Sequence, residues 1–287
     1  MACPVHDLLT RYGVQVDKFT RQQKMAFLTH HHSDHTQGLD SVSDEHLYAT
    51  KTTLALAGRA NGHALRYFEW SHVHKHIRVQ LLPAYHCDGS CMIWFHFLPD
   101  NQHVLYTGDF RWNLVMNDWF RDITFDAVYY DDTFLSFDQS IPSLQESRAD
   151  AKEWFNTHPQ GFIHAGVLGI EQILSTIPNV NYQLHPIFSP ETRRGRELRY
   201  LLSDRLNESS PYILHNNRKA NEEEKKQPWL IPTCLPILRG DPLKKTIDPD
   251  LQETVLFFCT HANRIELTKF KLAVKTKQFI PCGHGPK

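Results

Sequence analysis

The run Met25-Ala26-Phe27-Leu28-Thr29-His30-His31-His32-Ser33-Asp34-His35 decides the fold. Its first five residues are compact and mostly apolar, as in a buried strand, and the run then breaks abruptly into histidines. Within the break lies a His-x-His-x-Asp-His pattern formed by His30, His32, Asp34 and His35. Imidazole and carboxylate suit zinc and similar ions, and four such groups in six residues let a single loop serve one or two ions. A chance run of histidines, or a purification tag, is the competing explanation. Against both, the run is internal, is interrupted by Asp34 and follows a strand-like segment.

Outward from this loop, further strand-like runs end in residues of the same ligand types. The runs are Val79-Gln80-Leu81-Leu82, Met92-Ile93-Trp94-Phe95, Val104-Leu105-Tyr106-Thr107 and Ala127-Val128-Tyr129-Tyr130, with a helix expected around Lys51–Arg59. His86 follows Leu81-Leu82-Pro83-Ala84-Tyr85 and precedes Cys87-Asp88-Gly89-Ser90. Asp109 follows Val104 to Gly108 and could bridge two ions through its two oxygens, and His261 follows Val255 to Thr260. Any one of these alone is more often a structural residue. Together they supply the ligands that the first loop lacks.

The pattern changes at Ile141-Pro142-Ser143. Ser143 with Glu146 reads as a capping box opening a helix to about His158, and Pro159-Gln160-Gly161 stops it. Strands and helices then alternate, with helices expected near Gly169–Ile177 and Glu191–Leu206, and Asn216 to Pro228 reads as an exposed or disordered excursion. A strand over Thr254–Cys259, a helix over Ile265–Val274 and a strand over Gln278–Pro281 close the chain. The class is α/β, a main sheet domain carrying a smaller inserted one.

These segments resemble the metallo-β-lactamase superfamily, and within it the β-CASP nucleases of the DNA cross-link repair (Artemis/Apollo-like) group. The similarity is carried by Val16-Asp17-Lys18-Phe19, Leu28 to Leu39, Leu82 to Ser90, Tyr106-Thr107-Gly108-Asp109-Phe110-Arg111, Val128 to Phe134 and Ile141-Pro142-Ser143. It is dense from about residue 14 to 160 and sparser afterwards. The resemblance implies a metallo-β-lactamase αββα sandwich over 1–140 and 245–287, with a short β-CASP-like α/β insertion over 141–244. It implies one ion held by His30, His32, His86 and Asp109, and a second by Asp34, His35, Asp109 and His261. The ions implied are Zn2+, one or two, with Mg2+ or Mn2+ as alternatives at the second position. Asp34, His35 and Asp109 would be the catalytic residues, Asp109 as the bridge and Asp34 orienting the attacking water. Asp17 would support the ligand loop, and Asp131 and Thr133 would stand beside the metals, either supporting a ligand or lining a pocket where a terminal phosphate could sit. Three positions depart from the family pattern: Asp88 stands where proline is usual, Cys259-Thr260-His261-Ala262-Asn263 replaces an acidic setting, and Ile170 stands where a phosphate-binding lysine occurs.

The activity implied is hydrolysis of DNA phosphodiester bonds, foremost 5′-to-3′ exonuclease action, with structure-specific endonuclease action as a variant, in DNA repair or telomere maintenance in the nucleus. The partner implied is DNA, single-stranded or with ends and overhangs; no membrane is expected and no protein partner can be inferred. A formal net charge of -1 excludes a uniformly basic nucleic-acid binder, so any phosphate-tracking surface must be local. Arg193, Arg194, Arg196 and Arg199 on the expected helix are candidates, followed by Arg218, Lys219, Lys225 and Lys226, and Lys244 with Lys245, although solvated helix faces commonly look the same. Trp112 could stack on a base or fill a core. The six cysteines form no CxxC pair and no disulfide framework, there is no secretory leader or membrane-length apolar run, and a soluble intracellular protein is expected. Competing readings are an RNA-processing β-CASP endonuclease, a small-molecule hydrolase of the same superfamily, and a catalytically inactive scaffold.

Overall fold

Alternation within Met25–Phe27 sets the layering of the first sheet. Met25 and Phe27 face one core, with Val14, Val79, Ile93, Phe95, Val104 and Tyr129, whereas Ala26 and Leu28 face another, with Leu39, Leu47 and Leu54. In the computed structural model of the protein, the structure describes residues 7–20, 24–135, 141–233, 247–248 and 253–282. The chain divides into two compact units, Met1–Asp138 with Thr260–Lys287, and Gln139–Cys259.

The first unit contains two large sheets and a 2-stranded one, in which Thr124–Phe125 pairs with Lys275–Thr276. Val14–Val16, Met25–Phe27, Leu47–Thr50 and His63–Leu65 form a parallel 4-stranded sheet in that order. The second, 6-stranded sheet runs Phe279–Pro281, Ala127–Tyr130, Gln102–Tyr106, Cys91–Phe97, Ile77–Pro83 and Trp70–His74. Side chains from both sheets share the inner core, where Phe27 meets Phe95 edge to face at 5.1 Å. Burying a side chain of that size is worth about 1.5–3 kcal/mol, so this layer is a principal source of cohesion. The outer face of the larger sheet, through Leu82, Met92, Leu105 and Val128, packs on Leu267 and Phe270 of the helix Arg264–Ala273 and on Met116 of the short helix Met116–Trp119. The outer face of the smaller sheet packs on Leu54 of the helix Lys51–Leu56. Helix, sheet, sheet, helix is the αββα arrangement expected.

The second unit is a 6-stranded sheet in the order Gln183–Leu184, Tyr212–His215, Gly161–His164, Trp229–Thr233, Glu253–Phe257 and Ile247–Asp248, parallel except at the last strand. The helix Leu144–Thr157 opens with the capping box expected: Ser143 Oγ accepts from Glu146 N, and Glu146 Oε2 accepts from Ser143 N at 2.7 Å. Ala151, Trp154 and Phe155 on that helix, Leu198 and Leu214 build the unit's own core. Glu253–Phe257 pairs in parallel with Trp229–Thr233, so the unit extends to Cys259 rather than ending at the expected residue 244. Residues 244 and 245, where the boundary between the domains is expected, lie outside the described residues. No helix among the described residues is long and apolar enough to cross a membrane.

Candidate metal centre

Four histidines of the cluster, His30, His35, His86 and His261, each have Nδ1 committed to a partner and Nε2 turned inward. Thr29 Oγ1 donates to Asp17 Oδ2 at 2.7 Å and lies 2.9 Å from His30 Nδ1. With its proton given to Asp17, the hydroxyl accepts from His30 Nδ1–H, and the lone pair of His30 Nε2 faces the centre. His35 Nδ1 donates to Asp17 Oδ2 at 2.8 Å, His86 Nδ1 to the Thr260 carbonyl at 3.1 Å, and His261 Nδ1 to Asp131 Oδ2 at 2.7 Å. These partners set the tautomers, as outer groups around metal-binding imidazoles do.

The freed nitrogens converge on one atom. Asp109 Oδ2 lies 3.7 Å from His30 Nε2, 3.3 Å from His35 Nε2, 3.6 Å from His86 Nε2 and 3.8 Å from His261 Nε2. His32 Nδ1 closes the ring 2.9 Å from His86 Nε2. His30 is fully buried, and its Nε2 has no hydrogen-bond partner. Lone pairs gathered around a carboxylate oxygen repel one another unless positive charge lies among them. The titration of the cluster answers to the same demand. Burial opposes charge on His35, but Asp109 and Asp17 outweigh it and hold its pKa well above the usual value. Burial, with neighbouring histidines, holds His30 and His86 neutral well below theirs. A divalent cation fits this donor set, and His30, His32, His86 and Asp109 offer ligand atoms within 4.8 Å of one another.

Backbone geometry brings the loops this close. Gly108, just before Asp109, has φ 53°, and a Cβ there would stand 2.8 Å from Thr29 Oγ1. Asp17 and Tyr85 also hold positive φ, 58° and 56°, beside the ligand loop and before His86. For a residue as bulky as tyrosine that conformation is strained, and such strain collects at functional sites. Ser90 Oγ accepts from both His86 N and Cys87 N at 3.1 Å, so the turn around Asp88 is held without the family's proline.

Two expected placements change, and a third takes one of its two alternatives. Asp131 and Thr133 stand as support rather than as an open pocket: Asp131 Oδ2 is bonded to His261, and Oδ1 accepts from Thr133 N at 3.0 Å and Thr133 Oγ1 at 2.6 Å. Thr133 therefore holds Asp131, and Asp131 orients His261. Asp34 is half-exposed and approaches the cluster only through His35, 3.8 Å from its Nε2, so the expected second set is looser than the first. Arg194 is turned inward: it pairs with the buried Glu171, bonds Glu197 at 3.1 Å and donates to the Ala165 and Val167 carbonyls. Arg193 also pairs with Glu197, Arg196 donates to Glu191 O, and Arg199 donates to Phe188 O, so the four do not form a free cationic row. Trp112 is a core residue, and Ile170 is buried in the second unit's core. Lys244 and Lys245 lie outside the described residues. Sequence reasoning misses the supporting roles of Thr29, Ser90, Thr107 and Thr260, the third of which accepts from Asp131 N at 3.1 Å. Their only signal is a place within a few residues of a ligand.

No protein-family model matches the chain. It is 33% identical over 161 residues to the 5′ exonuclease Apollo of Gallus gallus, covering 53% of this chain and 35% of that protein. It is 30% identical over 195 residues to the DNA cross-link repair 1A protein of Gallus gallus, covering 62% of this chain and 20% of that one. The DNA cross-link repair protein pso2/snm1 of Schizosaccharomyces pombe is 34% identical over 127 residues, 40% of this chain and 22% of its own. The chain thus spans about a third or less of the length of these curated relatives. A crystal structure of a protein of unknown function from Enterococcus faecalis V583 matches with a TM-score of 0.64 at 16% identity, covering 90% of this chain and 75% of that one, a likeness of fold. The chain is thus similar over part of its length to a 5′ exonuclease and to DNA cross-link repair proteins, and it has an α/β fold.

Proposed function

We propose that this chain is a metal-dependent nuclease that hydrolyses DNA phosphodiester bonds from the 5′ end, acting in the nucleus in DNA repair. The observation that carries the reading is the convergence of four histidine Nε2 atoms on Asp109 Oδ2, a donor set that a divalent cation fits. The printed names of the relatives, exonuclease and cross-link repair protein, support the substrate class. Zn2+ suits a donor set rich in imidazole, held by His30, His32, His86 and Asp109, and His35, His261 and Asp34 are the candidates for a second ion, where Mg2+ or Mn2+ would also serve. A divalent ion bound here supplies Lewis acidity toward a phosphoryl oxygen and activates water at neutral pH.

The chain's own residues do the rest. Asp17 and Asp131 hold His35 and His261 by their Nδ1–H groups, so no reorganisation is needed when substrate arrives. Asp34, with its carboxylate at the solvent side, orients the attacking water and takes its proton. Arg196, exposed on the helix Arg193–Leu201, is the member of the arginine set best placed to contact phosphate. Replacing it by Ala should shallow the salt dependence of DNA binding by up to about 1 in log–log slope. An unchanged slope would remove it from the interface.

The test is digestion of matched DNA and RNA strands, labelled at either end, by zinc-loaded protein and its Asp34→Ala variant. Stepwise shortening of DNA from the 5′ end, lost in the variant, is the expected result. Internal RNA cuts would replace this reading with RNA processing. No cleavage at full metal loading would replace it with a small-molecule hydrolase or a scaffold.

A further inference from the structure

The polar excursion between residues 216 and 228 contains one acidic side chain that is turned inward. Glu224 sits in the short turn Glu224–Lys226, and its Oε1 lies 3.2 Å from His185 Nε2 and 3.4 Å from His215 Nε2. His185 caps the turn Pro186–Phe188, and His215 ends the strand Tyr212–His215, so three separate segments meet at one oxygen. We propose that His185, His215 and Glu224 form a second metal site, in the inserted unit, that takes a zinc-like divalent ion and pins this excursion to the sheet. This goes beyond the nuclease reading and does not rest on it.

Four observations carry the proposal. First, His215 is fully buried and its Nε2 has no hydrogen-bond partner, although it is aimed at the carboxylate. Second, separations of 3.2 and 3.4 Å are long for N–H···O bonds, whose usual length is about 2.9–3.0 Å. They match the edge of about 3.3 Å between ligands bound at 2.0–2.1 Å to a tetrahedral ion. Third, the carboxylate is pre-oriented: Asn221 N donates to Oε2 at 2.7 Å, and Trp229 Nε1 donates to the Glu224 carbonyl at 2.9 Å, leaving Oε1 for the histidines. Fourth, Glu224 also lines a cavity with Glu223, Asn221 and Gln227, so the acid is not sealed away from solvent.

The tautomers permit it. Asn216 N donates to His215 Nδ1 at 2.6 Å, so without an ion the ring carries its proton on Nε2; binding an ion at Nε2 moves that proton to Nδ1, where Asn216 O at 3.0 Å can accept it. His185 Nδ1 is 3.3 Å from Ile187 N, a weak contact that a metal bond readily outweighs. All three ligand atoms lie within 4.8 Å of one another. Three protein ligands leave a fourth position for water.

The experiment counts zinc per chain in the full-length protein after removal of loosely held metal. A His30→Ala/His86→Ala variant, stripped of its first centre, should retain about one equivalent. Adding Glu224→Gln, which keeps the shape and the Asn221 bond, should weaken binding at this site about 10–100-fold and release that equivalent. His185→Ala, at a partly exposed position, should do the same. In parallel, a chelator should lower the melting temperature of the His30→Ala/His86→Ala protein by about 5 °C, and added zinc should restore it. Zinc content that is the same with and without Glu224→Gln and His185→Ala would overturn the proposal. A chelator effect that survives both substitutions would do so as well. Neither result bears on nuclease activity, so failure here and failure of the nuclease reading are distinguishable.

Discussion

Two carboxylates in this protein collect histidines, and they do so to different degrees. Asp109 Oδ2 has four imidazole nitrogens around it at 3.3–3.8 Å, each ring locked from behind by Asp17, Thr29, Thr260 or Asp131. Glu224 Oε1 has two, at 3.2 and 3.4 Å, with Asn221 and Trp229 holding the acid rather than the rings. The first arrangement is rigid at the ligands and has a half-exposed acid, Asp34, beside it, so it can activate a reactant. The second joins three chain segments and has no such acid among its ligands, which suits holding rather than turnover. Ligand number and support from behind, not the mere presence of histidine and carboxylate, separate the two.

Asp109→Asn tests that contrast most severely. It leaves the volume unchanged but removes the charge around which the first cradle is built, so DNA cleavage should fall by about 10³-fold. Glu224→Gln measured alongside should leave the rate of cleavage within about twofold. Equal losses in both would mean that the two cradles act as one system. A second prediction concerns the supports. Asp131→Asn keeps the bond to Thr133 but weakens the charge behind His261, and should cost about 10–100-fold in metal affinity or rate while the circular dichroism spectrum is unchanged. Asp17→Asn should do the same through His35, and an effect smaller than twofold in both would place the rigidity elsewhere.

The smallest effect is electrostatic and belongs to the second unit. His164 Nδ1 accepts from Asn217 N at 3.2 Å, and burial, Arg218, Arg194 and His215 lower its pKa from 6.5 to about 4. Between those values the unfolded chain binds the proton that the folded chain refuses. Stability present above pH 6.5 should therefore be lost as pH falls toward 4, by about 2–3 kcal/mol. His164→Gln keeps an acceptor for Asn217 and removes the titration. Urea unfolding followed by the fluorescence of Trp154 and Trp229 should then show a flatter pH dependence in the variant. The same slope in both proteins would assign the acid sensitivity to other groups.

How far the sequence could be read depended on the distance between cooperating residues. His30, His32, Asp34 and His35 fall in one loop after a short apolar strand, so ligand type, spacing and strand position were all legible together. The capping box at Ser143 and Glu146 was legible for the same local reason, since its two hydrogen bonds join residues three apart. The helix reading over Glu191–Leu206 was too long, because Leu202 already leaves helical geometry after the helix Arg193–Leu201. The arginines on that helix read as a cationic row by spacing alone. Glu171, which turns Arg194 inward, lies 23 residues away and is invisible to helical periodicity. The meeting of His185, His215 and Glu224 is illegible in the sequence for the same reason: they lie 30, 9 and 39 residues apart, and Glu224 is one acid among several in a charged run.

By itself the sequence determined the order of strands and turns, the cap residues, the loop that carries the first ligands, and the places where chemistry had to occur. These are consequences of local patterning, because strand alternation and capping act over a few residues. The tertiary structure alone decided which nitrogen of each histidine faces inward, that Asp131 braces His261 instead of meeting a phosphate, and that an acid in a charged excursion meets two distant histidines. Those outcomes depend on contacts between residues far apart in the chain. Burial makes them consequential, since a polar atom away from water must find a partner or a cation.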